Sequence, residues 1–458
     1  MALSVAQASI NVNCVTPPAR LLVMTSLDQF TPTEPAPDRP GPLSGIRVVE
    51  VAHEFSAFAG RLLADAGAEV ILVEPPGGAE QRAHAPFADH EPGPERSLSF
   101  WAENTSKYSV IADLDQAEGA TFFRQLVASA DVLLEAEPPG RLDALGLDYG
   151  DLVIDHPDII HVSITPFGRT GGTDPVTDLT ILARGGPMWS SGYDDHELPP
   201  VRGRGNQGIR MAAHFAVMST MTALLARRRH GGQFIDVSMN AAANVTTEFA
   251  SYGWLAAQQT VQRQTGRHAT PSPSEPTQVR CADGRFLNTG VPPRRPAEFE
   301  SLLGWIRELG LEDDFELSAL VEMGAGYEYL SLQLIAEDPL VGEIFQSGRE
   351  AMHFIASKLS AHETFVGFQK RGIACGVVWS PDEVMSDPHF VERGFPTPVY
   401  QPQIDRTVLY PGAPIRFTAS PMRIAHPAPT LGSDTARIKA EFAERGERFW
   451  DVRNEEEE

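Results

Sequence analysis

The chain has 458 residues, enough at roughly 100–200 residues per domain for two or three domains with substantial cores, which excludes a small disulfide-stapled scaffold. With 61 acidic against 37 basic residues the net charge is −24, a surface that repels a phosphate backbone and argues against nucleic-acid binding. The 42% of hydrophobic residues never reach the roughly 18 uninterrupted positions of a membrane span, and Cys14, Cys281 and Cys375 lie far apart, match no metal-ligand spacing and read as free thiols of a reducing compartment.

Residues 1–42 read as a disordered tail. The first 23 carry no charge before Arg20 and no continuous apolar run, unlike a secretory signal, and Thr31 to Pro42 is rich in proline and charge. The cytoplasm is the expected compartment, and Met24 is an alternative start. Gly45 to Pro76 carries the clearest pattern. Apolar runs at Ile46–Ala52 and Val70–Glu74 flank an amphipathic stretch, Ala57 to Ala66, that stops at Gly67, a residue suited to a left-handed cap. This predicts a βαβ unit with parallel strands and a right-handed crossover, whose ligand end lies beyond the strand carboxyl ends. The turn His53, Glu54, Phe55, Ser56 occupies that place. Strands are predicted at Ser109–Ala112, Val132–Glu135 and Ile159–Ile164, with a helix at Ala117–Ser129, so the first half is an α/β sheet.

From Arg210 to Arg229 a long helix is apolar nearly all round and ends in three arginines that suit the negative end of its dipole; Met211 to Ala226 is expected to be buried. Beyond Gln262 a polar, proline-rich linker leads to a smaller domain, residues 263–375, with a hairpin-like stretch around Asp283-Gly284 and several helices. Residues 376–450 return to the large domain begun at 43–262, and 451–458 form an acidic tail.

Gly203, Gly205 and Gly208 satisfy G-x-G-x-x-G, but they follow a polar loop rather than a strand, and the turn at His53 has no such glycines; this argues against nicotinamide or flavin binding. Asp178 stands just ahead of an apolar helical pattern, where capping is the commoner use of a carboxylate and a base or nucleophile the alternative. His53 and Glu54 are divided between turn solvation and a catalytic role at the strand end. No G-x-S-x-G elbow, Walker loop or H-E-x-x-H occurs, and His84, His161, His230 and His389 show no metal spacing.

Taken in order, Pro42 to Glu50, Leu63 to Val70, Val73 to Gly78, Lys107-Tyr-Ser-Val, Pro139 to Leu147, Phe167-Gly-Arg-Thr-Gly171, Gly232 to Ser238, Asp387-Pro-His389, Arg393-Gly394 and Ala428 to Gly432 closely resemble the class III coenzyme A transferases, the family of formyl-CoA transferase, carnitine CoA-transferase and the 2-methylacyl-CoA racemases. The likeness runs from about Leu43 to about Lys439. It implies a Rossmann-like large domain built from both chain ends, a smaller α+β domain between them, and two subunits interlocked as rings. It also implies covalent catalysis in which an aspartate attacks an acyl-CoA thioester and then carries coenzyme A itself, with coenzyme A or acyl-CoA as substrate and no metal or bound prosthetic group.

Several positions depart from the family pattern. Counting back along the long helix places the family's nucleophile at or beside Ile209, which has no carboxylate. The resemblance then leaves His53, Glu54 and Asp178 as the catalytic cluster, with Glu54 or Asp178 taking the carboxylate role. Thr177 replaces the racemase histidine, against a two-base racemase. Leu72 and Ala144 replace basic residues and Ala136, Glu137 and Pro138 replace an asparagine-containing loop, leaving Phe55, Ser56, Arg82, Lys107 and Arg141 as the coenzyme contacts. Three readings follow: a CoA-transferase or related acyl-CoA enzyme acting on a small carboxylate as a homodimer; a non-covalent acid/base enzyme on the same scaffold that does not need coenzyme A; or a non-catalytic subunit paired with an aspartate-bearing paralogue.

Overall fold

A computed structural model describes residues 40–247 and 250–445; residues 1–39 and the acidic tail at 451–458, with Cys14 and Met24, lie outside the described residues. The large domain opens with β1 (Arg47–Val51), α1 (Glu54–Asp65), β2 (Glu69–Glu74), α2 (Leu98–Glu103), β3 (Tyr108–Ile111), α3 (Ala117–Ala128) and β4 (Val132–Glu135). It continues through α4 (Arg141–Ala144), α5 (Tyr149–Asp155), β5 (Ile160–Thr165), α6 (Asp178–Gly185), α7 (Gln207–His230), β6 (Gln233–Ser238), α8 (Met239–Val245) and α9 (Ala250–Ala257). All six strands pair in parallel, in the order β3-β2-β1-β4-β5-β6. That is the doubly wound dinucleotide-fold order, with its topological switch between β1 and β4. Helices cover both faces, so β1, β4 and β5 are buried throughout, which explains their near-continuous apolar runs.

The smaller domain has its own core around Phe299, Trp305, Ile306, Ile344, Ile355 and Phe368. It comprises β7 (Gln278–Arg280), β8 (Phe286–Asn288), α10 (Pro296–Glu308), α11 (Ser318–Gly324), α12 (Leu332–Glu337), α13 (Pro339–Lys358), α14 (Ala361–Lys370) and β9 (Gly376–Val377). The expected return at residue 376 falls too early: β9 pairs with β8, and Arg285 bridges to Glu383 of α15 (Pro381–Val384), so the small domain extends past that point. After α16 (Pro388–Glu392) the hairpin β10 (Pro396–Gln401) and β11 (Arg406–Pro411) packs Tyr410 with Leu72 and Trp101. Finally α17 (Thr435–Arg445) lies against β3, where Asp434 accepts from the Ser109 amide, and Glu441 pairs with Arg47 of β1.

The long helix α7 departs from the expected burial. Gly208, Ile209, Ala212, Ala213, Ala216, Thr220 and Ala223 form one buried face of mostly small residues against α1, α8 and the sheet, while Met218, Met221 and Leu225 are exposed. By length and composition it could cross a bilayer, but its small-residue face is a packing face of the α/β core.

Candidate active site

His53, two residues beyond β1 and in extended backbone, caps α1: its Nδ1 accepts from the Phe55 amide at 3.1 Å, which draws the helix start back from the expected Ala57 to Glu54. Burial lowers the proton affinity of His53, consistent with an imidazole whose Nδ1 acts as an acceptor. Glu54, the first helical residue, is partly exposed with its carboxylate 4.0 Å from His84 Nδ1. Burial raises its proton affinity, and the charges of Glu80, Glu103 and Asp178 add to the rise against the opposing effect of His84.

These two residues line a cleft of about 590 Å³ at the switch point. Its walls come from the segments after four strands: Ala52–Phe55 after β1, Pro75 and Gly78–Gln81 after β2, Ala136–Pro139 after β4, and Pro166 with Gly172–Val176 after β5. Glu54, Glu80, Glu137 and Asp174 face it with His53 and His84, and among the described residues no lysine or arginine lines it. Burial raises the proton affinity of Glu137, and the charges of Glu135 and Asp115 add to it. Such walls repel a phosphate.

Asp178 is not the cap of its own helix. Thr177 caps α6 in a reciprocal box with Thr180, and Asp178 is the first residue inside. Its buried carboxylate reaches the start of α7, where Oδ1 accepts from the amides of Gly208 at 2.7 Å and Ile209 at 3.2 Å, and Oδ2 accepts from Arg202 Nη1 at 3.0 Å. The N-cap of α7, Asn206, makes no side-chain cap bond, so Asp178 satisfies the orphan amides from another element. Gly208 permits the approach, since a β-carbon there would sit 3.0 Å from Ile181 and 3.2 Å from Asp178 Oδ1. The G-x-G-x-x-G pattern thus ends in a glycine that makes room for this carboxylate. Ile209 lacks an acidic side chain, yet its backbone holds one, and Val176, two residues before Asp178, belongs to the cleft wall.

The expected coenzyme contacts divide differently. Lys107 is wholly buried, with Nζ 2.7 Å from Glu50 and bonded to Asn104 Oδ1 and the Ala57 carbonyl. Arg82 is also buried, its guanidinium on Glu74 at 2.6 and 2.8 Å and on Glu95 at 3.0 Å, over the Phe100 ring. Both are internal counter-charges, a use that their place in the sequence does not reveal. Ser56 turns inward to Glu50 and the carbonyls of Val51 and His53, whereas Phe55 reaches the cleft wall beside the His53 ring. Arg141 remains at the surface, held bidentately by Asp115 at 2.8 Å. Arg202, Glu80, His84, Glu137 and Asp174 escape sequence reasoning as site residues because no periodicity or spacing marks loops that meet only in the fold. Among the described residues no three His, Cys, Asp or Glu side chains are grouped to hold a metal ion.

A parallel sheet in this order, with a carboxylate-lined cleft at its switch point and a further carboxylate held by helix-start amides, defines a doubly wound α/β protein with its site at the strand carboxyl ends. The chain belongs to CoA-transferase family III, whose family model matches residues 43–435. It is therefore an enzyme of the class that moves coenzyme A between an acyl-CoA and a carboxylic acid. It is 29% identical over 409 residues to subunit BbsE of succinyl-CoA:(R)-benzylsuccinate CoA-transferase from Thauera aromatica, covering 87% of this chain and 93% of that one. To a succinate–glutarate CoA-transferase from Agrobacterium fabrum it is 30% identical over 417 residues, covering 89% and 97%. Among solved structures, a CAIB/BAIF family protein from Brucella suis superposes with a TM-score of 0.69 at 26% identity, covering 88% of this chain and all of that one.

Proposed function

We propose that Asp178 is the carboxylate through which this chain exchanges coenzyme A. The observation that carries this is the unequal environment of its two oxygens: Oδ1 is held by two backbone amides at the start of α7, while Oδ2 has a partly exposed arginine, Arg202, as its partner. Oδ2 attacks the thioester carbonyl carbon, the C–S bond breaks, and coenzyme A leaves as thiolate from an acyl–aspartyl anhydride. The thiolate attacks the Asp178 carboxyl carbon, the anhydride C–O bond breaks, and the donor acid leaves as its carboxylate. The acceptor carboxylate then attacks this enzyme thioester, again releasing thiolate, and thiolate attack on the acceptor carbonyl restores Asp178. Whenever the Asp178 carbon becomes tetrahedral, Oδ1 carries the developing charge, and the Gly208 and Ile209 amides with the helix dipole stabilise it. One thioester replaces another, so little net energy is needed. Glu54 and His53 shape the acyl side of the cleft, and Phe55 contacts the coenzyme arm.

Asp178→Asn keeps an acceptor for both amides but no nucleophile. Turnover is expected to fall by about 10³-fold or more with the fold retained, and borohydride trapping of the acyl-CoA-treated wild type should mark Asp178 alone. A trapped adduct on Glu54, or full activity in the variant, overturns the assignment.

The assembly is read as a homodimer, interlocked as the family resemblance implies. The exposed Met218, Met221 and Leu225 of α7, with Trp254 and Leu255 of α9, support a subunit contact. The likeness to a protein named as a subunit supports a second reading, a heteromer with a paralogue. Free thiols at Cys281 and Cys375 fit a cytoplasmic location.

A further inference from the structure

The small domain carries a second concave site, which shares no lining residue with the cleft. A pocket of about 310 Å³ opens where the turn Val291–Arg295 meets Tyr329 and the segment Gly372–Ala374. Arg294 and Arg295 both line it, side by side on a backbone stiffened by Pro292, Pro293 and Pro296. In a chain with 61 carboxylates, neither guanidinium forms an ion pair among the described residues. Arg294 has the Tyr329 hydroxyl at 3.5 Å and the Phe345 ring at 5.6 Å, and its Nε is buried without a partner. Glu298, the one carboxylate lining the pocket among the described residues, already accepts from the backbone amides of Arg294 and Arg295 at 2.8 and 3.1 Å. These bonds hold the turn and leave both guanidiniums without a carboxylate partner among the described residues. Arg294 is half-buried and Arg295 exposed, so two like charges stand next to each other at the pocket without a counter-charge, and an anion with several oxygens relieves their repulsion.

We propose that this pocket binds a phosphate group, gripped by Arg294 and Arg295, with the Tyr329 hydroxyl donating to it. A phosphate dianion matches two guanidiniums in charge and offers oxygens for forked donors. The group can belong to free phosphate or to the phosphorylated ribose of coenzyme A, sources that a titration separates.

Full-length protein is titrated calorimetrically with inorganic phosphate, succinate, coenzyme A and dephospho-coenzyme A, using wild type, R294Q/R295Q and Y329F. Phosphate is expected to bind with one-to-one stoichiometry, roughly tenfold more weakly in the double variant and a few-fold more weakly in Y329F, and to lose affinity with salt. Coenzyme A binding roughly tenfold tighter than dephospho-coenzyme A in wild type, with the gap closed in R294Q/R295Q, assigns the phosphate to the coenzyme. Equal binding of the two, with phosphate still sensitive to the variants, assigns it to the free ion. No binding of phosphate at 10 mM (on the order of the weakest useful affinity), succinate bound as well as phosphate, or affinities unchanged in folded R294Q/R295Q each overturn the proposal.

Discussion

Lys107 is a cation spent on the fold. Glu50 sits in the middle of a fully buried strand, where burial raises its proton affinity and lowers that of Lys107 while each partner opposes the other's shift. Gly60 of α1 leaves room for the pair, since a β-carbon there would fall 1.8 Å from Glu50 Oε2 and 2.9 Å from Lys107 Nζ. Lys107→Met strands a buried carboxylate and is expected to cost about 3–5 kcal/mol in urea unfolding, with Glu50→Gln/Lys107→Met regaining much of the loss. Glu54 gives a pH signature of opposite origin. Its proton affinity is raised in the folded protein, first by burial, so the stability it contributes is full below the unfolded pKa and is lost as pH rises through the folded one. Glu54→Gln should therefore melt higher than wild type at neutral pH and show no such advantage below the ordinary carboxylate range, as followed by melting temperature against pH. Neither property is visible in a residue letter, because both depend on what surrounds the side chain.

Two helix starts explain which parts of the site were legible. The βαβ unit around α1 was readable from apolar periodicity and Gly67, but His53 as a cap was not, because histidine is an uncommon cap and the expected start lay three residues later. His53→Ala is expected to destabilise by about 0.5–2 kcal/mol and His53→Asn by less, measured by urea midpoint. The proton affinity of His53 is lowered by burial, so its contribution holds above the unfolded histidine pKa and is lost as pH falls below it; the asparagine variant should lack that acid-dependent loss. At α7 the sequence shows Asn206, a residue suited to capping, and no carboxylate at Ile209, but in the fold Asn206 makes no side-chain cap bond. The missing acceptor comes from Asp178, thirty residues earlier and on another helix. A local pattern finds Asp178 beside α6 and assigns it there, since only the packing of α6 against α7 brings the carboxylate to the Gly208 and Ile209 amides.

At the scale of the molecule, the C-terminal segment completes the first domain: Arg61 donates to the Pro411 carbonyl, Arg82 to the Pro429 carbonyl, and Glu441 meets Arg47. The same scale corrects the long helix, whose small residues pack inward while Met218, Met221 and Leu225 face out. Sedimentation of the wild type should show a dimer at micromolar concentration, and Met221→Glu/Leu225→Glu should dissociate it or prevent assembly. A wild-type monomer removes the dimer reading. Apolar periodicity, glycine stops and ordered motifs were enough, by themselves, to determine the α/β class, most of the sheet and the family, because those signals are local and each records a face that must be buried. The fate of the charged residues was decided by tertiary structure. Whether Lys107 and Arg82 meet a ligand or a buried carboxylate, and which helix Asp178 serves, depends on partners distant in sequence, and Coulomb and desolvation energies are set only once those partners are brought together.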